Sequence, residues 1–210
     1  YNAGTTEHNI KDYSHGMFQS VYDYPYLSSS ANHIFDITIG VGASSKLYSG
    51  TTSQQSKKKN IYNQMAQVLM GYDATGSILR FDEDGDLLAG GTKIDDGFFV
   101  NFSRLLVKDG YLVNSPVGEY GILYATASVL TTDTLAVNKS YPVGLLFYQA
   151  GIAFISGSVF NDAADGGILN NATATSALGK TSGVTGFNFV TGSEISASAN
   201  AIRSRIYNLQ

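Results

Sequence analysis

The chain contains no cysteine and no tryptophan, and only 14% of its residues are charged. Without cysteine there is no disulfide framework and no thiolate, either as a nucleophile or as a metal ligand. Basic residues are outnumbered, 13 Lys+Arg against 17 Asp+Glu, for a net charge of −4. Nothing in that balance neutralises a phosphate backbone, so nucleic acid is not an expected partner. A long uninterrupted apolar run is also missing. The nearest approach is SYPVGLLFYQAGIAFISGSVF (140–160), which lies in the charge-free interval between Lys139 and Asp162. A membrane helix needs about 20 consecutive apolar residues. Here the strongly apolar cores are Leu145–Tyr148 and Ile152–Ile155, divided by Gln149-Ala150-Gly151 and flanked by Pro142, Ser156, Gly157 and Ser158. Two short strands around a Gln-Ala-Gly turn satisfy this pattern, with a buried helix as the alternative and a membrane span least favoured. The first residues, YNAGTTEHN, have no initiator Met, no basic segment and no apolar leader core, and the last, IRSRIYNLQ, stop within a pattern. The expectation is a fragment of a longer polypeptide or a matured product.

What is abundant is Gly, Ser, Thr and Asn, together with 12% aromatic residues, 14 of them Tyr. That mixture favours short strands and tight turns over long solvated helices. With 210 residues the chain can bury a core without a disulfide or metal staple. HIFDITIGVG (33–42) alternates Phe35, Ile37 and Ile39 against Ile34, Asp36 and Thr38, the pattern of a strand with one buried face. In TTSQQSKKKNIYNQMAQVLMGYD, Ile61, Met65, Val68 and Leu69 form a helical stripe. Thr52 and Gln55 have capping-box spacing and Gly71 suits the C′ position, which predicts a helix over 53–70. SILRFDEDGDLLAGG (77–91) reads as two short strands around an Asp84-Gly85 turn. Phe98, Val100 and Phe102 share one face of an extended segment, after which strand and helix are both open. Gly121-Ile-Leu-Tyr124 resembles Gly144-Leu-Leu-Phe-Tyr148 and suggests similar strands. A surface loop is expected over 161–186, then a short strand in GFNFVTG, then a C-terminal helix carrying Ile195, Ala199, Ile202 and Ile206 on one face.

The expected class is therefore mainly β (α+β): a β-sandwich-like, two-layer body with an amphipathic helix near 53–70 and a C-terminal helix. The expected division is an extended N-terminal arm (1–31), a β-rich body (32–190) and a C-terminal helix (191–210) leading into a further segment of a longer chain.

Few stretches suggest chemistry. Asp82-Glu-Asp84-Gly-Asp86 has the alternating carboxylates of a calcium loop, but Leu87 and Lys93 stand where that loop wants Gly and Glu. The hairpin turn already explains Asp84-Gly85. His8, His15 and His33 are not spaced as ligands on one helix or strand, and polar surface or capping roles are the plain alternative. Gly40-Val-Gly42 and Gly90-Gly91 do not fit a phosphate loop followed by a helix. No G-x-S-x-G or acid–base pair presents itself, so no catalytic, cofactor or metal residue is assigned. Two stretches suggest interaction. Tyr22, Tyr24 and Tyr26, in YDYPY, could hold another protein or a glycan, or pack within the fold. Lys57, Lys58 and Lys59 open the helix, where cations oppose its dipole. A partner carboxylate is one reading and a solvated helix face the other.

Three stretches together resemble a known family: SSANHIFDITIG (29–40); KKKNIYNQMAQVLMGYDATGSILRFDEDGDL (57–87) with FFVNFSRLLVKD (98–109); and NSPVGEYGILY (114–124) with PVGLLFYQAGIAFISGSVF (142–160). They are similar to the large virion structural proteins of contractile-tailed marine bacteriophages, particularly those infecting cyanobacteria and similar hosts. The resemblance covers most of 20–160 and fades beyond. It implies a structural component of the tail or baseplate, assembled in the host cytoplasm, with other copies of itself and other phage structural proteins as partners. It implies no enzyme and no cofactor. A host-surface or glycan-binding module on the particle, and a neck or capsid-associated protein, are the alternatives; a hydrolase acting on the host envelope is the weakest. In relatives of this kind a Gly-Ser-Phe type strand is expected between Asp109 and the Asn-Ser-Pro segment, where this chain has only GYLV.

Overall fold

The computed structural model describes residues 8–45, 48, 53–82, 90–91, 93–103, 120–126 and 140–157. The strands are β1 (Ile10–Asp12), β2 (Gln19–Tyr22), β3 (His33–Val41), β4 (Asp96–Phe102), β5 (Tyr120–Thr126), β6 (Ser140–Phe147) and β7 (Ile152–Ser156), and the helix α1 (Ser53–Leu69) lies between β3 and β4 in sequence. All seven strands form one antiparallel sheet in the order β1-β2-β3-β4-β7-β6-β5. The mainly β class expected from composition is what the chain adopts. Over the described residues the second layer is α1 laid on the sheet, and no second sheet is present among them.

Alternation decides which side chains meet on each face. On one face, Phe35, Ile37 and Ile39 of β3 gather with Val21, Phe98, Val100 and Ala153. On the other, Phe99, Leu145, Phe147 and Phe154 meet Ile61, Tyr62 and Ala66 of α1, with Phe81 and Ile94 from the neighbouring connections. Phe98 and Phe99 are adjacent yet belong to different clusters, because successive strand side chains point to opposite faces. A sheet apolar on both faces explains why 140–160 carries no charge. β7 is flanked by β4 and β6, and β6 by β7 and β5, so the hairpin sits inside the sheet. Its turn closes at Gly151, with φ of 65° and its N–H on Phe147 O at 3.0 Å. The strand β6 is longer than its apolar core because it includes Pro142. That residue faces Tyr124 at a register shift, beyond the β6–β7 pairing that begins at Gly144, where a missing N–H costs little. The two similar Gly-Leu strands pair with each other, Gly121 opposite Leu146 and Leu123 opposite Gly144. No helix among the described residues is long and apolar enough to cross a membrane.

Two expectations are corrected. Residues within 1–31 do not form a simple extended arm: β1 and β2 pair as a hairpin, and β2 joins β3 as part of the sheet. The short strands IKD and QSVY carry too little alternation to be recognised alone, and β3 supplies the template. The buried stripe of α1 is also rotated from the expected one. Lys58, Tyr62 and Ala66 are buried with Ile61, while Val68 is 79% exposed. Tyr62 decides the rotation, since its ring enters the aromatic cluster and its hydroxyl donates to Ile94 O at 2.6 Å. At the far end Gly71 takes φ of 82° and its N–H reaches Gln67 O at 3.1 Å, the left-handed C-cap the sequence predicts. Thr52 of the expected capping box, the Asp84-Gly85 turn, the segment beyond Ser103, the 161–186 loop, GFNFVTG and the C-terminal helix all lie outside the described residues.

The close seating of α1 on the sheet depends on Gly40. A Cβ there would lie 2.5 Å from the Phe99 ring and 3.1 Å from the Tyr62 Cα. The Gly40→Ala variant is expected to lose about 1–3 kcal/mol of stability in denaturant unfolding, since helix and sheet must part to admit one methyl group. A variant as stable as wild type would show that this seating is looser than the geometry indicates.

Candidate functional site

The Tyr-rich stretch becomes the connection between β2 and β3. It begins where the β2–β3 register shifts, between Val21 and Tyr22. Asp23 holds the connection closed. Its carboxylate accepts from Tyr24 N at 2.8 Å, Asn32 N at 2.6 Å and Asn32 Nδ2 at 2.8 Å. Its own N–H donates to Asn32 O at 3.1 Å, and Asn9 Nδ2 donates to Asp23 O at 3.2 Å. Within the loop, Tyr26 N donates to His8 O at 2.9 Å, Ser28 N to Pro25 O at 2.8 Å and Ala31 N to Ser28 O at 3.1 Å. The ten residues between the strands are therefore a hydrogen-bonded Ω-like loop, not a slack one.

The three tyrosines play different parts. Tyr22 packs edge-on to His33 at 5.5 Å and lies 6.4 Å from Tyr26, so these two rings support the loop from inside. Tyr24 turns outward and is 58% exposed, with Leu27 at 83% close by in sequence. The hydrogen-bonded loop thus holds an aromatic and an aliphatic side chain in solvent. Sequence reasoning found the tyrosines but missed Leu27 and the Asp23–Asn32 clamp. The available signal was a lone large aliphatic residue in LSSSAN, between an Asp and an Asn that both favour turns.

The lysines separate in the same way, and one reading is corrected. Lys57 is exposed, its ammonium 3.4 Å from His15 O. Lys59 lies over the Tyr48 ring, 5.3 Å from its centre. Lys58 is neither on a solvated face nor beside a carboxylate among the described residues. It is fully buried, donating to Met17 O at 3.0 Å and to Thr38 Oγ1 at 3.1 Å. Burial, and secondarily the charge of Lys57, push its pKa down to about 7. Alternation and helical period put Lys58 on the inner face once Tyr62 is inward, four residues along; nothing in the KKK triplet itself marks the middle residue.

A second polar group lies at the end of α1 and β4. Lys93 pairs with fully buried Asp82, and Arg80 pairs with Asp95. Asp96 accepts from Ser45 Oγ at 2.8 Å, and burial raises the pKa of the neighbouring Tyr62 hydroxyl. Each carboxylate here meets a cation or a hydroxyl, which fits a group that ties the segments around the helix to the sheet. On the face of β2 and β3 that α1 also covers, Asp36 accepts from Ser20 Oγ at 2.6 Å and pairs with His33 Nε2 at 2.8 Å. The serine thus bonds to the carboxylate and not to the imidazole, so the trio lacks the order in which a histidine activates a serine. No set of three or more metal-ligating side chains occurs among the described residues. A scan against family models and searches against characterised proteins and solved structures found no match to this chain.

Proposed function

We propose that the chain is a structural protein of a bacteriophage particle, in the tail or baseplate region, and that it works by protein–protein assembly with copies of itself and with other structural proteins. The observation that carries this reading is the clamped 23–32 loop with Tyr24 and Leu27 in solvent. Burying one such side chain against a neighbour is worth about 1.5–3 kcal/mol. The loop is already ordered, so little of that gain is offset by fixing its backbone. Repetition of the contact around a symmetric particle multiplies a modest interface. The resemblance of 20–160 to virion proteins supplies the setting, and the reading calls for no catalytic step and no cofactor.

The test is immunogold electron microscopy of intact and disrupted virions with an antibody against residues 1–160, joined to a Tyr24→Ser/Leu27→Ser variant. Label at the tail or baseplate, and at least a tenfold drop in incorporation of a variant that still folds, are the expected results. Label on distal fibres would favour the alternative, a host-surface or glycan-binding module in which the exposed Tyr24 ring stacks on sugar. Label in neither state would remove the virion assignment.

A further inference from the structure

Lys58 sits where three elements meet: its own helix, the β1–β2 connection at Met17, and β3 at Thr38. Thr38 Oγ1 in turn donates to Met17 O, so one carbonyl of the 13–18 connection receives both groups. An ammonium carries three protons, and the amine finds two acceptors here, the Met17 carbonyl and the Thr38 hydroxyl. A neutral amine places both of its N–H groups on these two acceptors. A charged one is left in a buried site, with no ion pair to a carboxylate among the described residues.

We infer that Lys58 is a proton-operated latch that holds the 13–18 connection of the N-terminal hairpin against α1 and β3, closed when the amine is neutral and released when it is protonated. Release follows from solvation. The ammonium gains water only if the connection lifts, because the helix and β3 are fixed by the core on either side. The connection suits such movement: His15 and Met17 are on the surface, and the strand it leads from, β1, is a three-residue edge strand. The fall of the Lys58 pKa to about 7 puts the transition near neutrality.

The charged and titratable groups facing this point come from each element. On α1, Lys57 donates to His15 O at 3.4 Å and adds positive charge beside Lys58. On the connection, His15 Nδ1 accepts from Met17 N at 2.9 Å and its ring stacks on Tyr13. On β3, Asp36 is two residues from Thr38 and already engaged by Ser20 and His33. His15 is the other titratable group on the connection, and the experiment must separate it from Lys58.

The test is amide hydrogen exchange of the full chain at pH 5.5 and pH 8.5, corrected for intrinsic rates, read on a peptide covering 13–18. Wild type is expected to be at least fivefold less protected at the lower pH. Lys58→Met is expected to show equal protection at both, His15→Gln to keep the wild-type difference, and Lys58→Arg, which stays charged, to be poorly protected even at pH 8.5. The inference is overturned if wild type shows no difference, if Lys58→Met retains it, if His15→Gln abolishes it, or if Lys58→Arg is as protected at pH 8.5 as wild type.

Discussion

Phe154→Ala is expected to lose about 3–5 kcal/mol of unfolding free energy, a large share of the roughly 5–15 kcal/mol that holds an ordinary domain folded. Phe154 is fully buried at the centre of β7. Its ring stacks on Phe81 at 4.1 Å and lies 4.8 Å from Phe99 and 6.4 Å from Tyr62. In register it stands between Phe99 of β4 and Leu145 of β6. Truncation would leave a cavity bordered by strands on both sides and by the helix above, none of which can collapse without breaking ladder bonds. The loss should be read from guanidinium unfolding, with Phe154→Leu, which leaves a smaller cavity, costing less than the alanine variant. A deficit under about 1 kcal/mol for the alanine variant would mean that the aromatic cluster does not carry the joint between α1 and the sheet.

The second large effect is on the pH dependence of stability. Lys58 has a folded pKa lowered to about 7 from 10.5. Between those values the unfolded chain binds a proton at this site and the folded chain does not. Stability relative to a variant without the amine therefore rises with pH, by about 1.4 kcal/mol per unit. The gain is complete above the unfolded value and has gone once pH has fallen through about 7. In Lys58→Met the bond from Thr38 to Met17 O remains, so the carbonyl keeps a partner while the buried charge is removed. Denaturant unfolding of both proteins at pH 6.5, 8 and 9.5 should give a difference that favours the variant most at the lowest pH and shrinks steadily upward. A difference constant across that range would show that Lys58 titrates as an exposed lysine does.

Much of this fold was legible because the relevant signals are local. Alternation in HIFDITIGVG gave β3, the Gln-Ala-Gly interruption divided 140–160 into a hairpin, and Gly71 stopped the helix where it should. The strands β1 and β2 were not legible, since three or four residues carry no period of their own and acquire their register from β3. At the candidate site the tyrosines stood out by composition. Which of them faces solvent was decided by the Asp23–Asn32 clamp, a contact across nine residues. The three lysines are adjacent and chemically identical, so only their angular position on a packed helix could tell them apart.

By itself, then, the amino-acid sequence determined the mainly β class, the absence of thiol chemistry, the span of the central helix and the hairpin in the charge-free stretch, because composition and short-range period act on neighbours along the chain. The tertiary structure alone decided the strand order, the rotation of α1 that exposes Val68 and buries Lys58, and the outward turn of Tyr24 beside Leu27. Those outcomes depend on which distant surfaces meet. The large ring of Tyr62, packing into a cluster built from β4, β6 and β7, outweighs the desolvation of one lysine four residues away.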